Sequence, residues 1–270
     1  MAKRSLVLAL CIAVALGLTA AALQRARGGE RRGAHVGATA SFDAAAAALP
    51  GSPRPAFRPG RPALLRTNET RARYAAVLRT AAARAHPDLD APVVTGLPRR
   101  TTDDTDNVVL VLGEQRRAGV SWVHVRLSVL PNGRTGWVPR TALGGYRFVH
   151  THLVVDRARL TAVLYYDGRE IFRAPVGIGT AAAPTPSGQF YVRDKLTSFA
   201  NPFYGPVAYG TSARSAVLTD WPDGGVVGIH GTNQPELIPG RVSHGCIRLR
   251  NRDILRLSRL MPVGTPLTVR

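Results

Sequence analysis

Short runs in which apolar and polar residues alternate fill the chain from residue 92 onward, and they constrain the fold more than any other feature. Runs such as NVVLVLGEQ, SWVHVRLSV, LTAVLYYDG and EIFRAPVGIG have the two-residue period of a strand with one buried face. Asn132–Gly133 and Asp167–Gly168 separate pairs of runs with the residues that short hairpin turns favour. Within this stretch only the segment from Asn251 to Met261 has helical spacing, with Asn251 as its expected N-cap. The sequence therefore predicts a mainly β protein with one C-terminal helix.

The alternating runs divide into two groups, which we interpret as two domains. Residues 92–145 include the runs around Trp122 and Trp137, which resemble the bacterial SH3-like modules found on cell-wall enzymes. A small SH3-like β-barrel is therefore expected there, and residues 146–270 are expected to form a second, larger β domain. The two tryptophans are either buried in the barrel or available to bind a wall peptide or glycan.

A helical segment is expected just before the barrel, at residues 67–91. Tyr74, Leu78 and Ala82 recur at helical spacing, and Pro87 would end such a helix.

The N-terminal residues are typical of an exported protein. An uncharged apolar run from Leu6 to Leu23 follows two basic residues, so residues 1–23 are predicted to be a signal peptide or a membrane anchor. Residues 24–66 are rich in Ala, Gly, Pro and Arg and are predicted to be a linker. We expect an extracytoplasmic protein, in the cell wall or on the outer face of the cytoplasmic membrane, that touches the membrane only through its N-terminal segment.

The net charge of +19 indicates either contact with an anionic polymer or simply a solvated basic surface. Outside a cell, the anionic partners of this kind are wall glycopolymers and the headgroups of membrane lipids. Nucleic acid is not an expected partner, because the sequence has neither a basic helix nor a stripe of aromatic and basic residues.

Cys246 lies in the segment VSHGCIRL and is the only cysteine after the predicted leader, which contains Cys11. It has no intramolecular disulfide partner, so it is either an inert buried residue or a nucleophile. Gly245 permits a tight backbone conformation in which successive N–H groups face one point, as an oxyanion hole requires.

His230 is the expected base for this thiol. It ends a strand-like run sixteen residues before Cys246, and a loop of that length can return the imidazole to the sulfur. Its orienting acceptor would be a side chain or a backbone carbonyl such as that of Gly231. His244 should point away from Cys246 on an extended segment and either shapes the oxyanion pocket or is structural. Arg248 should project to the same side as Cys246 and can hold a substrate carboxylate.

The motif GIHGTNQPELIPGRVSHGCIRLRNRDI, with PTPSGQFYV upstream and VGTPLTV near the end, resembles the catalytic domain of the L,D-transpeptidases of the YkuD type. The resemblance runs from about Phe148 to Arg270 and implies a β-sandwich-like fold without a metal or other cofactor. It implies a thioester with the third residue of a peptidoglycan stem peptide, release of D-alanine, and transfer of the acyl group to an amine of a neighbouring stem in a 3→3 cross-link. In that family the nucleophile corresponds to Cys246, the base to His230, and the surrounding pocket to Gly231, Ser243, His244, Gly245 and Arg248.

Several other functions use some of the same residues. An L,D-carboxypeptidase would pass the acyl group to water, and an inert wall-binding protein would leave Cys246 unreactive. A sortase-like transpeptidase also uses His, Cys and Arg, but with a longer gap between His and Cys. A zinc peptidase would use His230, His244 and Cys246 as ligands.

Overall fold

The computed structural model describes residues 71–197, 202–218 and 225–270, so the signal or anchor predicted at 1–23 and the linker predicted at 24–66 lie outside the described residues. Of the helices in the described ranges, none has the length and apolar character needed to cross a membrane. The described residues form three β-sheets and one α-helix. The predicted mainly β fold class is confirmed.

The first sheet, called the N-terminal sheet below, is antiparallel throughout. Its seven strands are β1 (Ala72–Ala76), β2 (Ala81–Arg84), β3 (Val93–Leu97), β4 (Val108–Arg117), β5 (Val120–Arg126), β6 (Thr135–Pro139) and β7 (Arg147–Val149). They lie in the order β3-β2-β6-β5-β4-β1-β7. One face buries a small apolar core that includes Val111, Val123, Val125 and Val138. The likeness to SH3-like modules stays a prediction.

The helix predicted at residues 67–91 is wrong, because the described part of this segment contains β1 and β2. Strand β1 pairs with β4 on one side and β7 on the other, and β2 pairs with β3 and β6. The burial pattern is that of a strand, since Ala75 and Val77, two residues apart, lie in the core while Leu78 is exposed. Pairing with distant strands overrides the weak local helical pattern.

The remaining strands form two further sheets. The second sheet has the order β10-β9-β8-β18-β12 and comprises β8 (Thr151–Asp156), β9 (Thr161–Tyr166), β10 (Arg169–Pro175), β12 (Gly188–Tyr191) and β18 (Pro266–Val269). The third has the order β13-β14-β15-β17-β11-β16 and comprises β11 (Gly177–Gly179), β13 (Leu196–Thr197), β14 (Val207–Arg214), β15 (Val226–His230), β16 (Gly240–Ser243) and β17 (Ile247–Arg248). Helix α1 (Asn251–Leu260) follows β17 directly.

One apolar core joins the second sheet, the third sheet and helix α1. Leu153 and Leu164 of the second sheet pack in the same cluster as Ile229 and Ile247 of the third, and Ile254 of the helix completes it. The two sheets therefore share a dry interior, as the predicted β-sandwich-like fold requires. This part of the chain, residues 151–270, lies within the segment that the sequence resemblance predicts to be catalytic and is called the catalytic region below.

The N-terminal sheet packs against the catalytic region through a second face. Tyr191 of β12 is fully buried in a cluster with Val108 and Leu110 of β4, and its hydroxyl donates to the carbonyl oxygen of Val108 at 3.1 Å. The side chain of Asn132 bonds to both backbone groups of Arg214, at 2.7 and 2.9 Å. These contacts bury polar and apolar groups together and fix how the sheet lies on the catalytic region.

The predicted turns and caps have mixed outcomes. Asp167 and Gly168 have positive φ angles of 46° and 78° and connect β9 to β10, so this hairpin is confirmed. Strands β5 and β6 also pair as predicted around Gly133, whose φ is 89°. The cap assigned to Asn251 is wrong, because Arg250 holds the N-cap position and Asn251 is the first helical residue. The amide of Asn251 has another partner, described with the site below.

The two tryptophans of the N-terminal sheet differ in environment. Trp122 is buried, whereas Trp137 is half-buried and stacks on His124 with ring centroids 4.6 Å apart. The alternative of a buried tryptophan is therefore confirmed for Trp122 alone.

Candidate active site

Two neighbouring parallel strands bring the predicted nucleophile and the predicted base to one face of the third sheet. Strand β15 pairs with β17 in a register that sets Ile229 beside Ile247 and His230 beside Arg248. Because alternate residues of a strand share a face, Cys246 and Arg248 point to the same side as Gly228 and His230. Strand pairing thus closes the sixteen-residue gap between His230 and Cys246.

Gly228 provides the space between the two side chains. A methyl group placed on Gly228 would lie 3.8 Å from the sulfur of Cys246 and 3.8 Å from Cδ2 of His230. The backbone N–H of Gly228 also points to the sulfur, with an N···Sγ distance of 3.4 Å. Thiol and imidazole therefore both lie directly beside Gly228.

The proton positions on His230 follow from its one hydrogen bond. Its Nδ1 lies 2.6 Å from the carbonyl oxygen of Gly231. A carbonyl oxygen only accepts, so Nδ1 carries the proton and Nε2 carries a lone pair. Nε2 is buried and has no partner among the described residues. The imidazole is held in the tautomer that a general base needs.

Burial sets the resting charges of the pair. Burial lowers the pKa of His230 to about 4, although the hydrogen bond to Gly231 acts to raise it, and the positive charge of Arg248 lowers it further. Burial raises the pKa of the Cys246 thiol, against smaller lowering effects of the Gly228 N–H and of Arg248. Both shifts disfavour charge, so the resting site holds a neutral thiol and a neutral imidazole at pH 7.

The turn from Ser243 to Cys246 is held by one hydroxyl group. The buried Ser243 Oγ donates to the carbonyl oxygen of Cys246 at 2.6 Å and accepts from the N–H of Gly245 at 3.1 Å. Gly245 has a φ of 118°, which other residues rarely adopt. The N–H of Gly245 is thus occupied by the Ser243 hydroxyl, and the oxyanion pocket expected around Gly245 stays a prediction. The N–H of Cys246 has no acceptor among the described residues.

An aromatic pair lies against His230 and Arg248. The ring of Tyr204 meets the imidazole edge-on at 5.0 Å, and the guanidinium carbon of Arg248 lies 4.4 Å from the centroid of the Phe203 ring. Arg248 is itself buried, and its Nε has no partner among the described residues. Burial lowers the pKa of Arg248, but a guanidinium stays protonated at pH 7, so Arg248 presents a positive group near Cys246.

Asn251 anchors the loop that carries the acceptor for His230. Its Oδ1 accepts the N–H of Thr232 at 2.9 Å. Methyl groups placed on Gly205 or Gly231 would approach this oxygen within 2.4 Å, so both glycines are needed for the close packing. Gly231 therefore contributes its carbonyl, which bonds to His230, and its small size, which allows the close packing.

The predicted residues fall into two groups in the structure. Cys246, His230 and Arg248 come together, and Ser243, Gly245 and Gly231 support them through the backbone. His244 is exposed, in line with the expected direction of its side chain. Across residues 71–197, 202–218 and 225–270, no three His, Cys, Asp or Glu side chains cluster closely enough to hold a metal ion. Sequence reasoning gave Gly228, Phe203, Tyr204 and Asn251 no part in the site, because only strand pairing and loop packing bring them to it.

The family model of the YkuD L,D-transpeptidase catalytic domain matches residues 150–269. A protein named as an L,D-transpeptidase, YkuD of Bacillus subtilis strain 168, is 32% identical over 118 residues, which are 44% of this chain and 65% of that protein. YbiS of Escherichia coli K12, named likewise, is 33% identical over 135 residues, which cover 43% of this chain and 44% of YbiS. The matched part of this chain therefore spans 65% of the length of the first relative and 44% of the length of the second.

An NMR structure of the catalytic domain from the E. faecium L,D-transpeptidase is 28% identical, covers 44% of this chain and 96% of that chain, and superposes with a TM-score of 0.33. The family-model match identifies residues 150–269 as similar to the L,D-transpeptidase catalytic domains. Among these, the matched family is the YkuD type.

Proposed function

We propose that this protein is a peptidoglycan L,D-transpeptidase that forms a thioester on Cys246. One observation carries the proposal: the thiol of Cys246 and the imidazole of His230 both lie beside Gly228, and that imidazole has a buried Nε2 without a partner among the described residues while Gly231 holds its Nδ1. Nucleophile, base and orienting acceptor are the parts that cysteine acyl transfer needs.

In the first step Nε2 of His230 takes the thiol proton as the sulfur attacks the carbonyl carbon of the third residue of a stem tetrapeptide. The tetrahedral oxyanion collapses, the bond to the D-alanine nitrogen breaks, and the imidazolium gives its proton to that leaving amine. In the second step an amine of a neighbouring stem attacks the thioester, His230 takes the amine proton, and the thiol is restored. The 3→3 link forms without an external energy source, because one amide replaces another.

The neutral resting pair suits this sequence. Burial raises the pKa of the thiol and lowers the pKa of the imidazole, so the resting sulfur is protonated. A protonated thiol reacts more slowly with stray electrophiles than a thiolate does. The thiolate then forms as the substrate carbonyl arrives. Arg248 is suited to hold a stem carboxylate close to the sulfur, since its guanidinium is fixed over Phe203.

We further propose that the partners are stem peptides and that the protein works outside the cytoplasm, in the cell wall or on the outer face of the cytoplasmic membrane. The apolar run at residues 6–23 and the net charge of +19 support this location and contact with anionic wall polymers through the N-terminal sheet.

Intact mass tests the proposal directly. The purified protein and Cys246→Ala would each be incubated with a diaminopimelate-containing tetrapeptide stem and, separately, with a carbapenem. We expect adducts on the protein with Cys246 alone, and a stem adduct lacking the mass of D-alanine. No adduct with either compound would refute the proposal and favour an inert wall-binding protein.

The same acyl-enzyme serves an L,D-carboxypeptidase, so the acceptor needs its own assay. Supplying the stem peptide as both donor and acceptor should give a dimer with a 3→3 link. Free tripeptide in place of the dimer would assign the trimming reaction instead.

A further inference from the structure

Thr185 joins the turn that carries the nucleophile to the rest of the third sheet. It lies in the proline-rich corner between β11 and β12 and is 2% exposed. Its Oγ1 accepts the N–H of Gly179 at 2.9 Å and donates to the carbonyl oxygen of Gly245 at 2.7 Å. A single buried hydroxyl therefore connects strand β11 to the residue before Cys246.

The position of Thr185 is tightly set. A methyl group on Gly179 would lie 2.2 Å from the carbonyl oxygen of Ala183 and 2.5 Å from the nitrogen of Thr185, so the corner packs directly on the backbone of β11. The guanidinium of Arg157 holds the carbonyl oxygen of Thr185 at 3.0 Å. Because these contacts come from elements outside the active-site turn, the hydroxyl is a fixed point against which that turn is held.

The bond from Thr185 fixes a peptide plane that matters for catalysis. The Gly245–Cys246 peptide is trans, since the cis bonds of the described residues precede Pro131 and Pro239. In a trans peptide the C=O and the N–H point in opposite directions. Holding the Gly245 carbonyl therefore also holds the N–H of Cys246, which has no protein acceptor among the described residues.

We propose that Thr185 is a positioning residue for the oxyanion hole, which aims the N–H of Cys246 at the oxyanion that forms when the sulfur attacks a carbonyl. This inference rests on the proposed function. Gly245 needs such a restraint, because a glycine with a φ of 118° has no side chain to limit its rotation. The Gly245 N–H is already occupied by Ser243, so the aim of the Cys246 N–H depends on the carbonyl on the other side of the peptide.

Two reagents separate positioning from a general structural role. Acylation by a carbapenem passes through an oxyanion, whereas alkylation by iodoacetamide displaces iodide at a CH₂ carbon and develops no oxyanion. Both consume the same thiol, so their second-order rate constants, measured by intact mass on the full chain, share every effect on folding and thiol access. The ratio of the two constants isolates the oxyanion step.

We expect Thr185→Val, which replaces the hydroxyl with a methyl of similar size, to lower the acylation rate constant about 10- to 100-fold. Alkylation should stay within about 2-fold, and Thr185→Ser, which keeps the hydroxyl, should restore most of the acylation rate. Thr185→Ala provides the same comparison should the valine variant fail to fold.

Thr265→Val is the matched control. Thr265 is fully buried and its hydroxyl also makes two hydrogen bonds, with Thr151 and with the carbonyl oxygen of Pro262, but it does not touch the active-site turn. This variant should lose stability and keep both rate constants. Equal loss of acylation and alkylation in Thr185→Val, or no loss in either, would overturn the inference. A parent protein that is alkylated but never acylated would instead refute the proposed function, and the inference with it.

Discussion

His124 in the N-terminal sheet and His230 in the catalytic region are both strand histidines whose pKa burial lowers, yet their surroundings differ. The Nε2 of His124 bonds to the hydroxyl of Thr135 at 2.8 Å, and its ring stacks on Trp137. The Nε2 of His230 is buried with no partner among the described residues. Leaving a buried polar atom unpaired lowers stability, so the second arrangement is expected where a reaction uses that atom. The contrast separates a histidine that stabilises the fold from one available to a substrate.

Replacing each histidine by glutamine gives the largest expected difference. His230→Gln removes the base and should lower the rate of Cys246 acylation by roughly 10²- to 10⁴-fold. His124→Gln should leave that rate unchanged, because the N-terminal sheet makes no part of the site. Stopped-flow fluorescence with a carbapenem measures both. Similar rates in the two variants would remove the distinction between the histidines.

The pH dependence of unfolding should differ in the same way. His230 has a pKa of about 4 in the folded protein and about 6.5 when unfolded, so between these values the unfolded chain binds more protons. Stability should therefore be full above pH 6.5 and fall by about 3 kcal/mol as the pH drops to 4.

Urea unfolding of the parent protein and of His230→Gln between pH 4 and 8 measures this contribution. The glutamine variant should have a flatter profile in that window. Parallel profiles would show that the imidazole titrates normally in the folded protein.

Two glycines with positive φ angles, one in each region, test what backbone strain does to stability and to acylation. Gly133, in the hairpin of the N-terminal sheet, and Gly245, beside the nucleophile, have φ angles of 89° and 118°, and a methyl group on either would meet no atom closer than 3.7 Å. Alanine at either position should lower the free energy of unfolding by about 1–3 kcal/mol through backbone strain alone. Only Gly245→Ala should also slow acylation. Equal acylation rates would show that the turn tolerates a change in the direction of the Cys246 N–H.

The smallest effect is expected where the two regions meet. Burial raises the pKa of Tyr191 to about 12, so its hydroxyl stays protonated and donates to the Val108 carbonyl oxygen. Tyr191→Phe should lower the free energy of unfolding by about 1 kcal/mol and leave acylation unchanged. The exposed Tyr166→Phe is the control for the loss of a hydroxyl. A loss of acylation in Tyr191→Phe would show that the N-terminal sheet acts on the site after all.

Local patterns predicted the strands and the residue types of the site. The alternating runs indicated most of the observed strands, and Asp167–Gly168 indicated a hairpin, because a two-residue period and a positive φ are local properties. The segment 67–91 was predicted to be helical for the same reason, since its helical spacing was local while the strand partners of β1 lie up to 77 residues away. Asn251 has a residue type that suits a cap, but its amide bonds to a loop that is distant in sequence.

The sequence by itself determined the chemistry that is available: a lone thiol, a histidine before a glycine, and an arginine two residues past the cysteine. Only the tertiary structure decided which atoms act on one another. The parallel pairing of β15 with β17 brought His230 to Cys246, the carbonyl of Gly231 selected the tautomer, and burial set both pKa values. These outcomes depend on through-space distances and on the exclusion of water, and neither is a property of neighbouring residues in a chain.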